Sequence, residues 1–548
     1  MEVPVSKCQM FLWVFAGALS CTATGVMGQD LRTEEHWVAA DDGTRLHTTV
    51  YLPEGAGPHP VVLIRSPYSG QRGTGMRFMA ERLVPAGYAV VEQDVRGTGR
   101  SEGQFIPFVF DSGDGRATLD WVSSQPWAAA IGLWGVSYPG WAAYAAASTG
   151  HPSIAAMVVG SSYGDLAEFL SPGGAFHLMA HVPWMMGFGP GGQGRLPPRD
   201  ALEALFRTLP IGDLLRGQEL IAEFARQPFD WTRVDVPTLH WTGWYDYIYR
   251  DALTGYSMLA DPAHRHGASQ RLIVGPWIHA GELNDVTRVG AVDFGPSAAA
   301  GLDSVAAWAR RFFDHHLRGL PIEGEAVRVF FLGDNVWRTF DRWPPAEATL
   351  QTWYIAPDAA LVRRLPGAGS AGFRYDPNDP VPTVGGVVSH FFPENAGPRD
   401  QRILDERPDI LRFTSSVLDT DLILAGPMMA FLYLTADAPA IDVTVKLVLL
   451  KPDGRAEIVE DGIRRIPRLG ADQEVVVKLG HRAIHIPAGS RLRLDISGGN
   501  FPKYDRNPQN GEDPFTAAVL HPASIVLSAG GGQPSRLEIY VMPNEGAR

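Results

Sequence analysis

Ile131-Gly132-Leu133-Trp134-Gly135-Val136-Ser137-Tyr138-Pro139-Gly140 is an apolar run that stops at a serine set among glycines and passes into an alanine-rich stretch over residues 141–147. That order reads as strand, sharp turn and helix, which raises a hydroxyl at the carboxyl edge of a sheet with a helix N-terminus behind it. Ser137 is therefore the candidate nucleophile. A serine between glycines can also be no more than a tight turn, so the reading stands or falls on what the rest of the chain supplies.

Working outward, the same alternation recurs on both sides. Pro60-Val61-Val62-Leu63-Ile64 is a continuous apolar run ending at Arg65-Ser66-Pro67-Tyr68, and Tyr88-Ala89-Val90-Val91-Glu92-Gln93-Asp94 is the next. Continuous runs of this kind fit strands buried on both faces. Helical spacing over residues 73–85 and 111–125 separates them, and residues 35–52 read as a hairpin around Asp41-Asp42-Gly43-Thr44. After the helix at 139–149 comes the strand 154–160. Strands alternating with helices predict a mostly parallel sheet covered on both sides.

The pattern lapses over residues 163–234, where Met, Phe, Trp, Pro and Gly mix with short helical runs at 201–209 and 214–227. We read this as a helical cap over the carboxyl edge of the sheet. The alternation then resumes with strand 237–242, the loop Gly243-Trp244-Tyr245-Asp246, helix 250–260, strand 270–274, the loop Gly275-Pro276-Trp277-Ile278-His279 and helix 301–317. From about residue 325 the period becomes two, with short runs at 327–332, 350–355, 428–435, 442–449, 474–479, 491–496, 525–528 and 536–541. This predicts a β-sandwich of the jelly-roll kind. The division is a signal segment at 1–28, an α/β domain at 29–162 and 235–322, the cap at 163–234, and a β domain at 323–548.

Composition narrows the function classes. A net charge of −13 with no clustered cations argues against nucleic acid as a partner. Lys7 followed by the apolar run at residues 10–19 and small residues up to Gly28 has the order of an export signal, too short to span a bilayer comfortably. The competing reading is a retained N-terminal anchor. Both cysteines, Cys8 and Cys21, fall inside that segment, so a processed chain has neither disulfide nor thiol chemistry. No later stretch is apolar enough to cross a membrane, and the expected location is the periplasm or the exterior. The sequence leaves room for a homo-oligomer.

A serine hydroxyl needs a base, a carboxylate to orient the base, and donors for the oxyanion. In this fold class they arrive in the chain order nucleophile, acid, histidine, each at a strand end. Asp246 and His279 meet that demand; taken singly, Asp246 could be a helix cap and His279 a loop residue. A literal Gly-x-Ser-x-Gly lies at Gly99-Arg100-Ser101-Glu102-Gly103, yet no apolar strand leads directly into Ser101 and no helix follows it. Pro139 takes the usual second-glycine place after Ser137, with Gly140 one later, and proline suits a first helical turn.

Six stretches in order resemble the cocaine esterase-like (CocE/NonD) hydrolases, relatives of X-Pro dipeptidyl-peptidases and α-amino acid ester hydrolases. They are residues 65–68, 94–103, 135–140, 243–246, 275–279 and Asn500-Phe501-Pro502-Lys503-Tyr504-Asp505-Arg506-Asn507. The resemblance implies an α/β-hydrolase domain at 29–162 and 235–322, a helical cap and a C-terminal jelly roll, with an acyl-enzyme mechanism on a small ester or amide without metal or cofactor. Ser137 would be the nucleophile, His279 the general base and acid, Asp246 its partner, and the Tyr68 hydroxyl with the Tyr138 backbone N–H the oxyanion hole. In the α-amino acid ester hydrolases two ammonium-binding carboxylates closely follow the triad aspartate; here Ile248 and Tyr249 stand there, leaving Asp165 as the one match. We therefore expect an apolar acyl pocket walled by Trp244, Ile248 and Phe176. The alternatives are an X-Pro dipeptidyl-peptidase or aminoacyl acylase, and an inactive surface- or carbohydrate-binding protein.

Overall fold

Ten strands make one mixed sheet: β1 Arg32–Ala39, β2 Arg45–Leu52, β3 His59–Ser66, β4 Ala89–Asp94, β5 Ala128–Val136, β6 Ile154–Gly160, β7 Thr238–Gly243, β8 Arg271–Gly275, β9 Val327–Phe331 and β10 Val336–Phe340. The computed structural model describes residues 31–68, 77–190, 192, 194–215, 229–470 and 473–544. The export-like segment and most of the helical run expected at 214–227 lie outside these.

Spatial order is β1-β2-β4-β3-β5-β6-β7-β8-β9-β10, with β2 antiparallel to both neighbours and β4 through β9 parallel. The chain steps from β3 outward to β4 and then returns to the far side of β3 as β5. The carboxyl ends of β3 and β5 thus flank the point where the winding reverses, the place where such sheets open a crevice.

Period-two side chains send one set to each face. Val62, Ile64, Val90 and Trp134 pack on α1 (Arg77–Leu83) and on the last helix of the domain, Leu302–Arg318. Val61, Leu63, Val91, Ile131 and Leu133 pack on α2 (Asp111–Ser123) and α3 (Tyr138–Ala147). Each of these fully buried aliphatic side chains contributes about 1.5–3 kcal/mol. Because both faces are covered, only the strand ends are left for chemistry.

Between β6 and β7 the chain makes α4 (Leu166–Leu170), α5 (Leu178–Phe188) and α6 (Arg199–Phe206). α5 is apolar nearly all round and is buried over most of its length. Helix α7 (Tyr249–Leu259) follows β7, and Leu302–Arg318 is α8. Among the described residues no helix is long and apolar enough to cross a membrane.

Beyond β10, eleven strands among the described residues form a β-rich unit around one core that includes Leu424, Leu432, Val443, Leu447, Leu494 and Ile539. One expectation is corrected. The run at 327–332, which its spacing grouped with this unit, is β9 and pairs in parallel with β8, Val327 opposite Leu272 and Val329 opposite Val274. Strand periodicity identifies a strand but not its partner, and burial of Val327, Val329, Phe330 and Phe331 is satisfied by the hydrolase sheet.

The β-rich unit grips the hydrolase sheet by a buried cation. Arg482, fully out of solvent on the strand Glu474–Ile486, donates to the carbonyls of Val459 (2.9 Å) and Trp244 and pairs with Glu460 (2.9 Å). Its guanidinium lies over Tyr245 and Tyr249 at 5.1 and 5.3 Å. Removing one partner of a buried pair strands the other charge. Arg482→Met is expected to cost about 3 kcal/mol, seen as a lower thermal midpoint, and adding Glu460→Gln should recover part of the loss. A single variant as stable as the parent would refute the grip.

Candidate active site

The bend at the end of β5 is forced by its glycines. Ser137 sits at φ 61°, ψ −127°, a left-handed conformation that costs a non-glycine residue about 1–3 kcal/mol and persists only where neighbours enforce it. A Cβ at Gly135 would lie 2.2 Å from the Pro139 carbonyl, and one at Gly140 would lie 2.6 Å from the Ser162 Cβ. The strand can therefore fold back onto its own helix only without those side chains. Ser137 N–H donates to the Gly160 carbonyl (3.0 Å), and the Ser162 hydroxyl donates to the Ser137 carbonyl (3.0 Å).

Asp246 follows β7 and His279 follows β8. Both are buried, and His279 Nδ1 lies 3.1 and 3.0 Å from the two carboxylate oxygens of Asp246. The Ile248 N–H also donates to Asp246 (2.8 Å), fixing the carboxylate plane. Burial pulls the His279 pKa down, but the charge and hydrogen bonds of Asp246 outweigh it, so the net shift is upward. With Nδ1–H toward Asp246, Nε2 is the nitrogen left for a proton from elsewhere. Ser137 and His279 line one cavity with Tyr68, Trp184, Tyr247 and Phe391.

Tyr68 stands two residues beyond β3. Its hydroxyl accepts from Trp184 Nε1 at 3.1 Å and hydrogen-bonds the Ser137 side chain. Burial pushes the phenol up to about 12, so it stays neutral and able to donate. Tyr138 is the first residue of α3, where a backbone N–H has no partner inside the helix. Its side chain points away and locks the turn: the hydroxyl donates to Asp111 (2.8 Å) and accepts from the Phe108 N–H (2.8 Å).

A second, small cavity beside Ser137 is walled by Phe108, Tyr163, Phe169, Trp184, Met185 and Tyr247, with His181. Phe108 stacks near-parallel on Tyr138 and Trp184 (centroids 5.2 and 6.4 Å), and Tyr163 on Phe169 at 3.9 Å. The walls are aromatic, but the residues named from the sequence are not among them. Trp244 is fully buried and donates to the Phe330 carbonyl (2.7 Å), Ile248 packs behind Tyr68, and Phe176 packs against Phe515. None of the three is among the residues lining either cavity beside Ser137. The fourth expectation, Asp165, caps α4 through the N–H groups of Ala167 and Glu168 and lines a separate cleft between the cap and the β-rich unit. Tyr247, which borders all three spaces, was missed although it follows Asp246 directly.

Ser101 is consumed structurally. Its hydroxyl donates to the Asp94 carbonyl (2.7 Å) and accepts from the His47 N–H (2.8 Å).

Residues 42–281 match the X-Pro dipeptidyl-peptidase (S15 family) model and residues 322–538 the X-Pro dipeptidyl-peptidase C-terminal non-catalytic domain. The chain is 32% identical to the cocaine esterase of Rhodococcus sp. (strain MB1 Bresler) over 89% of its own length and 96% of that protein. Among solved structures it resembles an aminopeptidase from a marine sediment Thaumarchaeota archaeon (TM-score 0.80, 23% identity, 97% of this chain and 100% of that one). An α-amino acid ester hydrolase gives a TM-score of 0.78 at 24% identity, covering 98% of this chain and 100% of that one.

Gly135→Ala is expected to destabilise the fold by about 1–3 kcal/mol, as overpacking does, and to slow fluorophosphonate labelling of Ser137 even below the melting point. Labelling at the parental rate would contradict the steric account of the bend.

Proposed function

We propose, since this chain belongs to the cocaine esterase-like (CocE/NonD) serine hydrolases, that Ser137, His279 and Asp246 are its catalytic triad and that it cleaves small esters or amides of apolar acyl groups through an acyl-enzyme. The observation that carries this reading is the two-oxygen contact of Asp246 with His279 Nδ1, opening onto the same cavity as Ser137. His279 Nε2 takes the Ser137 proton as Oγ attacks the carbonyl carbon. The oxyanion receives hydrogen bonds from the Tyr68 hydroxyl and the Tyr138 N–H, at the positive end of α3. His279 then passes its proton to the departing alcohol or amine, and a water molecule activated the same way releases the acid. The aromatic chamber beside Ser137 favours an apolar or aromatic acyl group. The N-terminal segment supports export, with action in the periplasm or outside the cell.

A second reading, cleavage of aminoacyl substrates, is favoured by one observation. Asp165, Glu168 and Asp251 line the cleft behind Tyr247, and burial together with the charges of Glu168 and Asp165 holds the Asp251 carboxyl well above the usual range. A substrate ammonium would relieve that repulsion. A panel of p-nitrophenyl esters against aminoacyl and Ala-Pro amides separates the readings; preference for the amines, lost in Asp251→Asn, would install the second.

Ser137→Ala and His279→Ala are each expected to lower kcat by about 10⁴ or more. Tyr68→Phe should lower it about 10²–10³, and a loss under about tenfold would remove Tyr68 from the oxyanion hole. Because the base must be neutral and its pKa is raised, kcat/KM should fall with decreasing pH through a midpoint above the ordinary histidine value. An acid limb below that value would contradict the Asp246–His279 coupling.

A further inference from the structure

We infer that Glu282 is a positioning residue for the Asp246–His279 couple: a second buried carboxyl, carried by the turn that follows His279 and hydrogen-bonded to the strand that delivers Asp246, that supports the imidazolium formed at His279. The inference rests on the triad reading above. It starts from the backbone. Immediately after His279 the chain passes through Ala280 at φ 59°, ψ 11°, a left-handed conformation held by a residue other than glycine. The reversal is pinned by Gly281 N–H to the Ile278 carbonyl (2.9 Å) and by the Asn284 side chain to the Ala280 carbonyl (2.9 Å). Its effect is to turn Glu282, three residues past His279, into the interior, where it has no exposed surface.

A glutamate is an expensive residue to hide, and this one is only half satisfied. Oε1 accepts from Trp241 Nε1 at 3.1 Å, while Oε2 is buried with no hydrogen-bond partner. Trp241 belongs to β7, the strand that delivers Asp246. A purely structural role for Glu282 would be met as well by glutamine, which also accepts from an indole and carries no charge.

The charges of Asp246, from the loop after β7, and of His279, from the loop after β8, bear on Glu282. Helix α8 packs beside the turn, but its first-turn Asp303 faces solvent and pairs with Arg82 (2.7 Å). Burial and the Asp246 charge hold the Glu282 carboxyl up at about 7, against the opposing pull of its own backbone N–H, Trp241 and His279. Near neutrality, then, Glu282 moves between acid and anion. As an anion it stabilises the imidazolium that forms when Ser137 gives up its proton. As an acid it leaves His279 to Asp246 alone.

The test follows phosphonylation of Ser137 in the full chain by a fluorophosphonate, which needs no knowledge of the natural substrate. The Ser137 Oγ–P bond forms, the P–F bond breaks with fluoride leaving, and the serine proton passes to His279. Second-order labelling rates are measured across pH 5–9 for the parent and Glu282→Gln, with thermal midpoints alongside. In the parent the rate should climb through two ionisations. In Glu282→Gln it should climb through one, displaced to lower pH, with a plateau about three- to tenfold lower and a melting temperature little changed. Trp241→Phe, which removes the donor that favours the anion, should move the second ionisation the other way, to higher pH. That opposite shift carries the test even where the glutamine variant folds poorly. Superimposable profiles, or an equal loss at every pH, would overturn the inference. A parent that fails to label at Ser137 would instead overturn the triad reading on which it rests.

Discussion

A fully buried guanidinium ties the β-rich unit to the loop that carries Asp246. Arg482 can find partners only among protein groups: it donates to the Val459 carbonyl and to the carbonyl of Trp244, two residues before Asp246, and forms an ion pair with Glu460. Glu460 is tied in turn to Tyr249 (2.6 Å) and Arg250 (2.8 Å) at the start of α7, just past the same loop. Asp246 is thus braced on both sides by the β-rich unit. That unit supplies none of Ser137, Asp246 and His279, yet it fixes the loop whose carboxylate contacts the histidine. Buried ion pairs contribute little net stability but are costly to break on one side, which makes them better suited to setting a geometry than to strengthening a fold.

The same division of labour recurs elsewhere around the site. The hydrolase sheet presents Ser137, Asp246 and His279 from three strand ends. The cap sends α5 across them with Trp184, whose indole holds the Tyr68 hydroxyl. The β-rich unit adds His390 and Phe391, next to Tyr247 and Phe188 respectively. Asp505 ties these layers together, accepting from the Phe176 N–H (2.8 Å) in the cap and pairing with Arg465 (2.8 Å). The cavity that Ser137 and His279 share is therefore a product of three segments meeting, not of one.

This explains what could and could not be read from the chain. Ser137, Asp246 and His279 were legible because each ends an apolar strand, and strand ends converge at one sheet edge whatever the loops do. Tyr68 was legible as a strand-end phenol, though not by its partner Trp184. The pocket walls were not legible. Trp244, Ile248 and Phe176 have the right chemistry and neighbourhood, but burial against Phe330, Tyr68 and Phe515 claims them first. Which face a short cap helix presents depends on packing against distant residues such as Phe391, and no local period encodes that. The strand at Val327–Phe331 misled for a related reason: its alternation says strand, while its partner β8 is decided by which apolar surface lies open.

Tyr247 has one further consequence. A single phenol ring is common to the walls of an aromatic chamber, of the vestibule holding Ser137 and His279, and of a charged cleft. Shrinking that ring would thin one partition shared by all three, leaving Ser137, Asp246 and His279 as they are.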